Sequence, residues 1–102
     1  RKLHDGTDFG VACGTPVHAA AGGTVVKRST SNAYGKRLII RHRRGFETSY
    51  NHLRSQSVSI GDHVSAGEVV GRSGNTGLST GCHLHLQVYV NGGVVNPLSY
   101  VP

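Results

Sequence analysis

His83-Leu84-His85-Leu86-Gln87-Val88-Tyr89-Val90 is the stretch whose reading decides the fold. Leu84, Leu86 and Val88 recur at every second position, and His83, His85 and Gln87 fill the alternate ones. A period of two marks a β-strand with one face on a core. The pattern therefore predicts a strand over 83–90 whose other face carries chemistry or meets solvent. Its two imidazoles stand on that second face with Cα atoms roughly 6 to 7 Å apart, close enough to reach one site.

Working outward, Leu38 to Arg43 and Phe46 to Leu53 read as a hairpin around Arg44-Gly45. In its second strand Phe46, Thr48, Tyr50 and His52 alternate onto one face, so His52 is expected beside Tyr50. Pro16 to Ala20 and Thr24 to Arg28 read as two strands separated by the hairpin punctuation Ala21-Gly22-Gly23. Ser57 to Ile60 and Glu68 to Gly71 flank Gly61-Asp62-His63-Val64-Ser65-Ala66-Gly67, a turn, a buried valine and a second turn. That stretch resembles the hammerhead of biotinyl and lipoyl domains. Those carriers present a lysine at a hairpin tip, and Ser73-Gly74-Asn75-Thr76-Gly77 contains none, so the likeness is one of architecture. Beyond the last long strand, Gly92-Gly93 turns the chain toward Val94-Val95.

Fifteen glycines and three prolines, with no clean run of helix formers, point to an all-β chain of short strands and tight turns. At 102 residues there is room for one compact domain, expected over 1–102. No apolar run approaches the roughly 18 residues of a membrane helix. The opening at Arg1 shows no signal-peptide pattern and reads as a processed or excised domain. The formal net charge is +6, with Arg41, Arg43 and Arg44 crowded together, which draws a protein to polyanions or simply keeps a solvated basic face. Phe9, Phe46 and four tyrosines offer little for base stacking, and no recognition helix is apparent, so no specific nucleic-acid partner is expected. Cys13 and Cys82 are the two cysteines, and an even pair in a small Gly-rich domain fits a disulfide in an oxidising compartment better than free thiols or zinc-binding sulfurs.

Seven histidines in so short a chain is an enrichment, and His4, His52, His83 and His85 sit in recognisable settings. Asp8 follows His4 in an H-x-x-x-D arrangement within a Gly/Asp-rich loop. Imidazole nitrogen and carboxylate oxygen are both ordinary zinc ligands. Strand geometry leaves open whether His83 and His85 both bind a metal or one of them contacts a water there.

These residues resemble the lysostaphin-type zinc endopeptidases that cleave peptidoglycan. The likeness runs through Arg1-Lys2-Leu3-His4-Asp5-Gly6-Thr7-Asp8-Phe9, Gly14-Thr15-Pro16-Val17-His18-Ala19-Ala20, Gly23-Thr24-Val25-Val26 and Ser49-Tyr50-Asn51-His52-Leu53. It continues through Gly61-Asp62-His63-Val64, Gly71-Arg72-Ser73-Gly74-Asn75-Thr76-Gly77 and Ser79-Thr80-Gly81-Cys82-His83-Leu84-His85-Leu86. The resemblance implies a small antiparallel barrel-sandwich, a two-layer sheet of the glucose-permease-like (duplicated hybrid motif) type. It implies one Zn2+ per chain held by His4, Asp8 and His85, with His52 and His83 as unligated catalytic histidines. Three protein ligands leave a tetrahedral position open, where a water can ionise near pH 7. His83 would orient or deprotonate that water, and His52 would stabilise the oxyanion and assist the leaving amine.

The expected substrate is the peptide part of bacterial peptidoglycan, acted on by a monomer located outside the cytoplasm: extracellular, periplasmic or wall-associated. Anionic wall polymers are further partners that the charge admits. A Cys13 to Cys82 bridge would tether the strand bearing His83 and His85 to the loop after Asp8. His42 is expected to make a structural hydrogen bond and His63 to be exposed in its Gly-Asp turn, while the sequence leaves the role of His18 open, a place lining a groove being one option. A non-catalytic wall-binding or regulatory module is the alternative reading, although such relatives usually lack ligands and none is missing here. A basic nucleic-acid-binding β domain ranks last, since charge alone motivates it.

Overall fold

The computed structural model describes residues 7–76, 81–90 and 93–95; for residues 7–9, 83, 85, 89–90 and 93–95 the description is of the backbone. Strands β1 (Thr7–Gly10), β2 (Pro16–His18), β3 (Gly23–Ser31), β4 (Gly35–Arg41), β5 (Glu47–Gln56), β6 (His63–Val64), β7 (Val69–Ser73), β8 (His83–Val90) and β9 (Gly93–Val95) account for most of them. The main path of the sheet runs β1-β8-β5-β4-β3-β6, with β7 joining β5 to β2 and β9 lying beside β8. Every pairing is antiparallel. The sheet curls around one core, the all-β architecture expected from the glycine-rich sequence.

The alternation in β8 does what its pattern predicts. Leu86 and Val88 are buried, Leu84 packs partly buried against the same core, and Gln87 lies on the opposite face. Leu38, Ile40 and Val25 complete the floor of that core from β4 and β3. The β4–β5 hairpin also forms as read, with Arg41 opposite Glu47. Its tip is a single 3-10 turn at Arg43–Gly45, in which Arg44 and Gly45 both adopt positive φ, 63° and 75°. Val64 is buried between two turns, also as expected.

Three expectations fail, each for a tertiary reason. The strands on either side of Ala21-Gly22-Gly23 do not pair with each other: β2 pairs with β7, and β3 with β4 and β6. Gly23 already lies in β3, so close to the Arg41 carbonyl that a Cβ there would collide with it. Ser57 to Ile60 is not a strand. The Ser59 amide donates to the Asp62 carboxylate at 2.8 Å and bends the segment into a turn, leaving Ile60 63 % exposed.

The third failure matters most for function. Tyr50 and Leu53 are both fully in the core although three residues apart, so the alternation of β5 breaks across Asn51-His52. Leu38 pairs with Tyr50 and Lys36 with Leu53, which leaves one extra residue on β5, a bulge. Here β5 also changes partner: its pairing with β8 ends at Asn51, and its pairing with β7 begins at Leu53. His52 is the corner, with φ +60°, and it does not continue the row of Tyr50.

Candidate active site

The register of β1, β8 and β5 brings the candidate residues together. Asp8 lies opposite His85 on β1–β8, and His85 lies opposite Asn51 on β8–β5. His83 is opposite Gly10, two positions along the same strand. Opposed residues on neighbouring antiparallel strands have Cβ atoms about 5 Å apart on one face. Aspartate and histidine are both residue types that bind a divalent ion, so the donor chemistry in this register fits a metal. His4, the third predicted ligand, lies outside the described residues.

Polar side chains pave the sheet face next to this row. Asn51 and Ser49 are fully buried and Gln87 nearly so. The Ser49 hydroxyl donates to Asn51 Oδ1 at 3.0 Å, and Asn51 Nδ2 donates to Gln87 Oε1 at 3.4 Å. Arg37 donates from Nε to Ser49 Oγ at 2.9 Å and from Nη2 to Gln87 Oε1 at 3.2 Å, and its guanidinium stacks 4.1 Å above the Tyr34 ring. Among the described residues no buried side-chain polar atom lacks a partner, so the patch is a finished network that fixes its members rigidly.

His52 sits at the end of that patch and is 7 % exposed. Its amide donates to the Tyr34 carbonyl at 2.7 Å, and its ring Nδ1 lies 2.6 Å from the Thr76 carbonyl oxygen. A carbonyl only accepts, so Nδ1 carries the proton in this contact and Nε2 is the basic nitrogen of the neutral ring. A non-glycine residue at positive φ inside a strand is strained, and such strain persists where the surroundings over-determine it.

The remaining histidines serve other ends. His42 is buried, with Nδ1 2.8 Å from the Gly22 carbonyl and Nε2 2.7 Å from Thr48 Oγ1, and its ring stacks on Phe46 at 4.7 Å. Thr48 Oγ1 is in turn 2.7 Å from Tyr50 Oη, which accepts the Ala20 amide at 2.9 Å. Burial pushes the His42 pKa below its usual value, partly offset by the Gly22 hydrogen bond and Glu47, and burial raises that of Tyr50. This is the structural role expected of His42. His63 is exposed and meets Thr24 Oγ1 at 3.0 Å, and exposed His18 meets the Gly67 carbonyl at 2.8 Å. An open pocket of about 880 Å³ lies toward the Arg43–Gly45 tip, bordered by Gly22, Arg41, His42, Phe46 and His63, and none of the predicted site residues lines it.

Cys13 and Cys82 are bridged, with Cα atoms 5.1 Å apart at a sequence separation of 69. The bridge joins the segment after β1 to the residue before β8, the two strands that oppose Asp8 to His85. Tyr34, Arg37, Ser49, Asn51, Thr76 and Gln87 had no predicted role in the site. Gln87 could have been found from the periodicity that placed it beside His83 and His85. Tyr34 and Thr76 meet His52 through backbone carbonyls, contacts that leave no side-chain signature.

The fold is an antiparallel half-barrel whose strand register opposes Asp8 to His85. The model of peptidase family M23 matches residues 2–97, and the chain belongs to that family. Over 96 residues it is 42% identical to the peptidoglycan DD-endopeptidase ShyC of Vibrio cholerae, covering 94% of this chain and 22% of that protein. Among solved structures, the catalytic domain of the antimicrobial peptidase lysostaphin from Staphylococcus simulans superposes with a TM-score of 0.91 at 36% identity, covering 96% of this chain and 78% of that one. A zinc containing peptidase from Vibrio cholerae superposes with a TM-score of 0.87, also at 36% identity, covering 90% of this chain and 28% of that one. The chain spans about a fifth of the length of the curated relatives it matches.

Proposed function

We propose that residues 1–102 are a single catalytic domain that hydrolyses peptide bonds in the stem peptides or cross-bridges of bacterial peptidoglycan. One Zn2+ would be held by His4, Asp8 and His85, with His52 and His83 as catalytic histidines that do not bind it. The observation that carries the reading is the register opposing Asp8 to His85 in a chain of family M23. Zinc on this donor set would supply Lewis acidity at the scissile carbonyl and an acidified water.

The chain's own groups divide the proton work. His83, on the same strand as His85, takes a proton from the attacking water. His52 keeps its Nδ1 proton on the Thr76 carbonyl and works with a second proton on Nε2, which it donates to the carbonyl oxygen as negative charge builds there and then gives to the departing amine; solvent returns to Nε2 the proton that His83 took from the water. The buried Arg37–Ser49–Gln87–Asn51 network gives these groups a floor that does not rearrange during turnover.

The disulfide and the wall-acting names of the relatives support an extracellular, periplasmic or wall-associated location for a monomer. The net charge of +6 suits a wall carrying phosphate and carboxylate. The test is turbidity of purified peptidoglycan with and without chelator, alongside metal analysis of the purified protein. Chelator-sensitive clearing with about one zinc per chain is expected. Binding without clearing, at verified zinc occupancy, would point instead to a non-catalytic wall-binding module.

A further inference from the structure

The corner at His52 is held from two loops at once. Its amide is bound by the Tyr34 carbonyl, from the turn between β3 and β4, and its ring by the Thr76 carbonyl, from the segment after β7. Those two loops are themselves fastened together. The Lys36 amide donates to Thr76 Oγ1 at 3.1 Å, and Thr76 Oγ1 donates to the Leu53 carbonyl at 2.7 Å, so one hydroxyl links β4 and β5 at the Lys36–Leu53 pair that borders the bulge. Gly35 makes the approach possible. It sits at φ +63°, and a Cβ there would fall 2.5 Å from the Thr76 carbonyl oxygen and would clash with Thr76 Oγ1 as well. The absent side chain at 35 is therefore the space that the carbonyl holding the imidazole occupies.

We propose that Thr76 and Gly35 are positioning residues for His52. Together they fix its ring orientation and its tautomer, with the proton on Nδ1 and Nε2 turned to the chemistry. The proposal rests on the reading of His52 as a catalytic histidine for its kinetic consequence, but not for its structural content. Neither residue touches substrate. Thr76 supplies the acceptor and the two hydroxyl bonds that hold that acceptor still, and Gly35 supplies room. A neutral imidazole released from this carbonyl would divide between two tautomers and several ring rotations, and only one of these presents Nε2.

The experiment uses the zinc-loaded protein and three substitutions, Gly35→Ala, Thr76→Val and Thr76→Ser. The first pushes the carbonyl away, the second removes both hydroxyl bonds at constant shape, and the third keeps them. Long-range 1H–15N correlation of the His52 ring should show the Nδ1-protonated pattern in the parent and in Thr76→Ser, and a mixed pattern in Thr76→Val and Gly35→Ala. Turnover should fall about ten- to a hundred-fold in the latter two, with KM changed less than about three-fold and zinc content unchanged, as expected for a misplaced catalytic group. Should Gly35→Ala not fold, Thr76→Val against Thr76→Ser decides alone.

A parent-like tautomer pattern in Thr76→Val overturns the proposal, whatever its activity. His52→Ala, measured in parallel, addresses the catalytic reading separately. Full turnover in that variant removes His52 from the chemistry while leaving the tautomer result to judge the clamp.

Discussion

His42, between β4 and the hairpin tip, and His52, inside β5, are both buried and both have Nδ1 against a backbone carbonyl, yet the proposed function gives them different work. His42 precedes β5 in relaxed extended backbone, and its second nitrogen is taken up by Thr48, deep in a chain that ends on Tyr50 and Ala20. His52 occupies a strained corner where the strand changes partners, beside the row of Asp8 and His85. Burial and a hydrogen bond therefore do not by themselves distinguish a structural histidine from a functional one. Under the proposed function the backbone marks the difference, extended at His42 and at φ +60° at His52, where the position lies inside a strand and not in an exposed turn such as that of Arg44.

The sharpest way to break this contrast is to truncate both. His52→Ala should lower turnover about 10²- to 10⁴-fold with zinc content intact, whereas His42→Ala should leave the specific activity of the folded protein near that of the parent. Equal losses of activity would erase the distinction. Next in size is the bridge that pins β1 to β8: reduction of Cys13–Cys82 should lower stability by about 4 kcal/mol, read as a lower Tm once reduction is confirmed by thiol titration.

His42→Ala should lower stability by about 2 kcal/mol, since it strands the Gly22 carbonyl and the Thr48 hydroxyl. That deficit should itself depend on pH. The native pKa of His42 lies below its unfolded value, so acid favours proton uptake by the unfolded chain. Its contribution is whole above about pH 6.5 and is lost as pH falls through the native value, so the parent and variant curves should converge in acid. Denaturant unfolding across pH 5 to 8 checks the sign. The smallest effect belongs to the exposed Arg41–Glu47 pair at 3.0 Å, where Glu47→Gln should change stability by less than about 1 kcal/mol, and less still at high salt.

What was legible in the sequence follows the same division. Strand β8 and the β4–β5 hairpin announced themselves because one of their faces is uniformly apolar, and that is a local property. The bridge was legible from the count of two cysteines. The partner of β2 was not, because a three-residue strand pairs wherever the curled sheet closes on it, and here that is β7. Nor was the face of His52. Alternation assigned it to the Tyr50 side, but the bulge arises from the switch of β5 from β8 to β7, a long-range event that no window around residue 52 records. The pairing of Asp8 with His85 could be suspected from residue types, and only the register sets them side by side.

Strand order carries one more consequence. β8 is laid between β1 and β5, so the row Asp8–His85–Asn51 has no middle member until the last long strand has been inserted. During synthesis the first eighty residues can form the β4–β5 hairpin and part of the core, but Asp8 then has no opposite residue on β8. Contacts this far apart in sequence form late and slowly. A chain cut short before β8 therefore lacks the opposed Asp8 and His85, and under the proposed function it would be inactive.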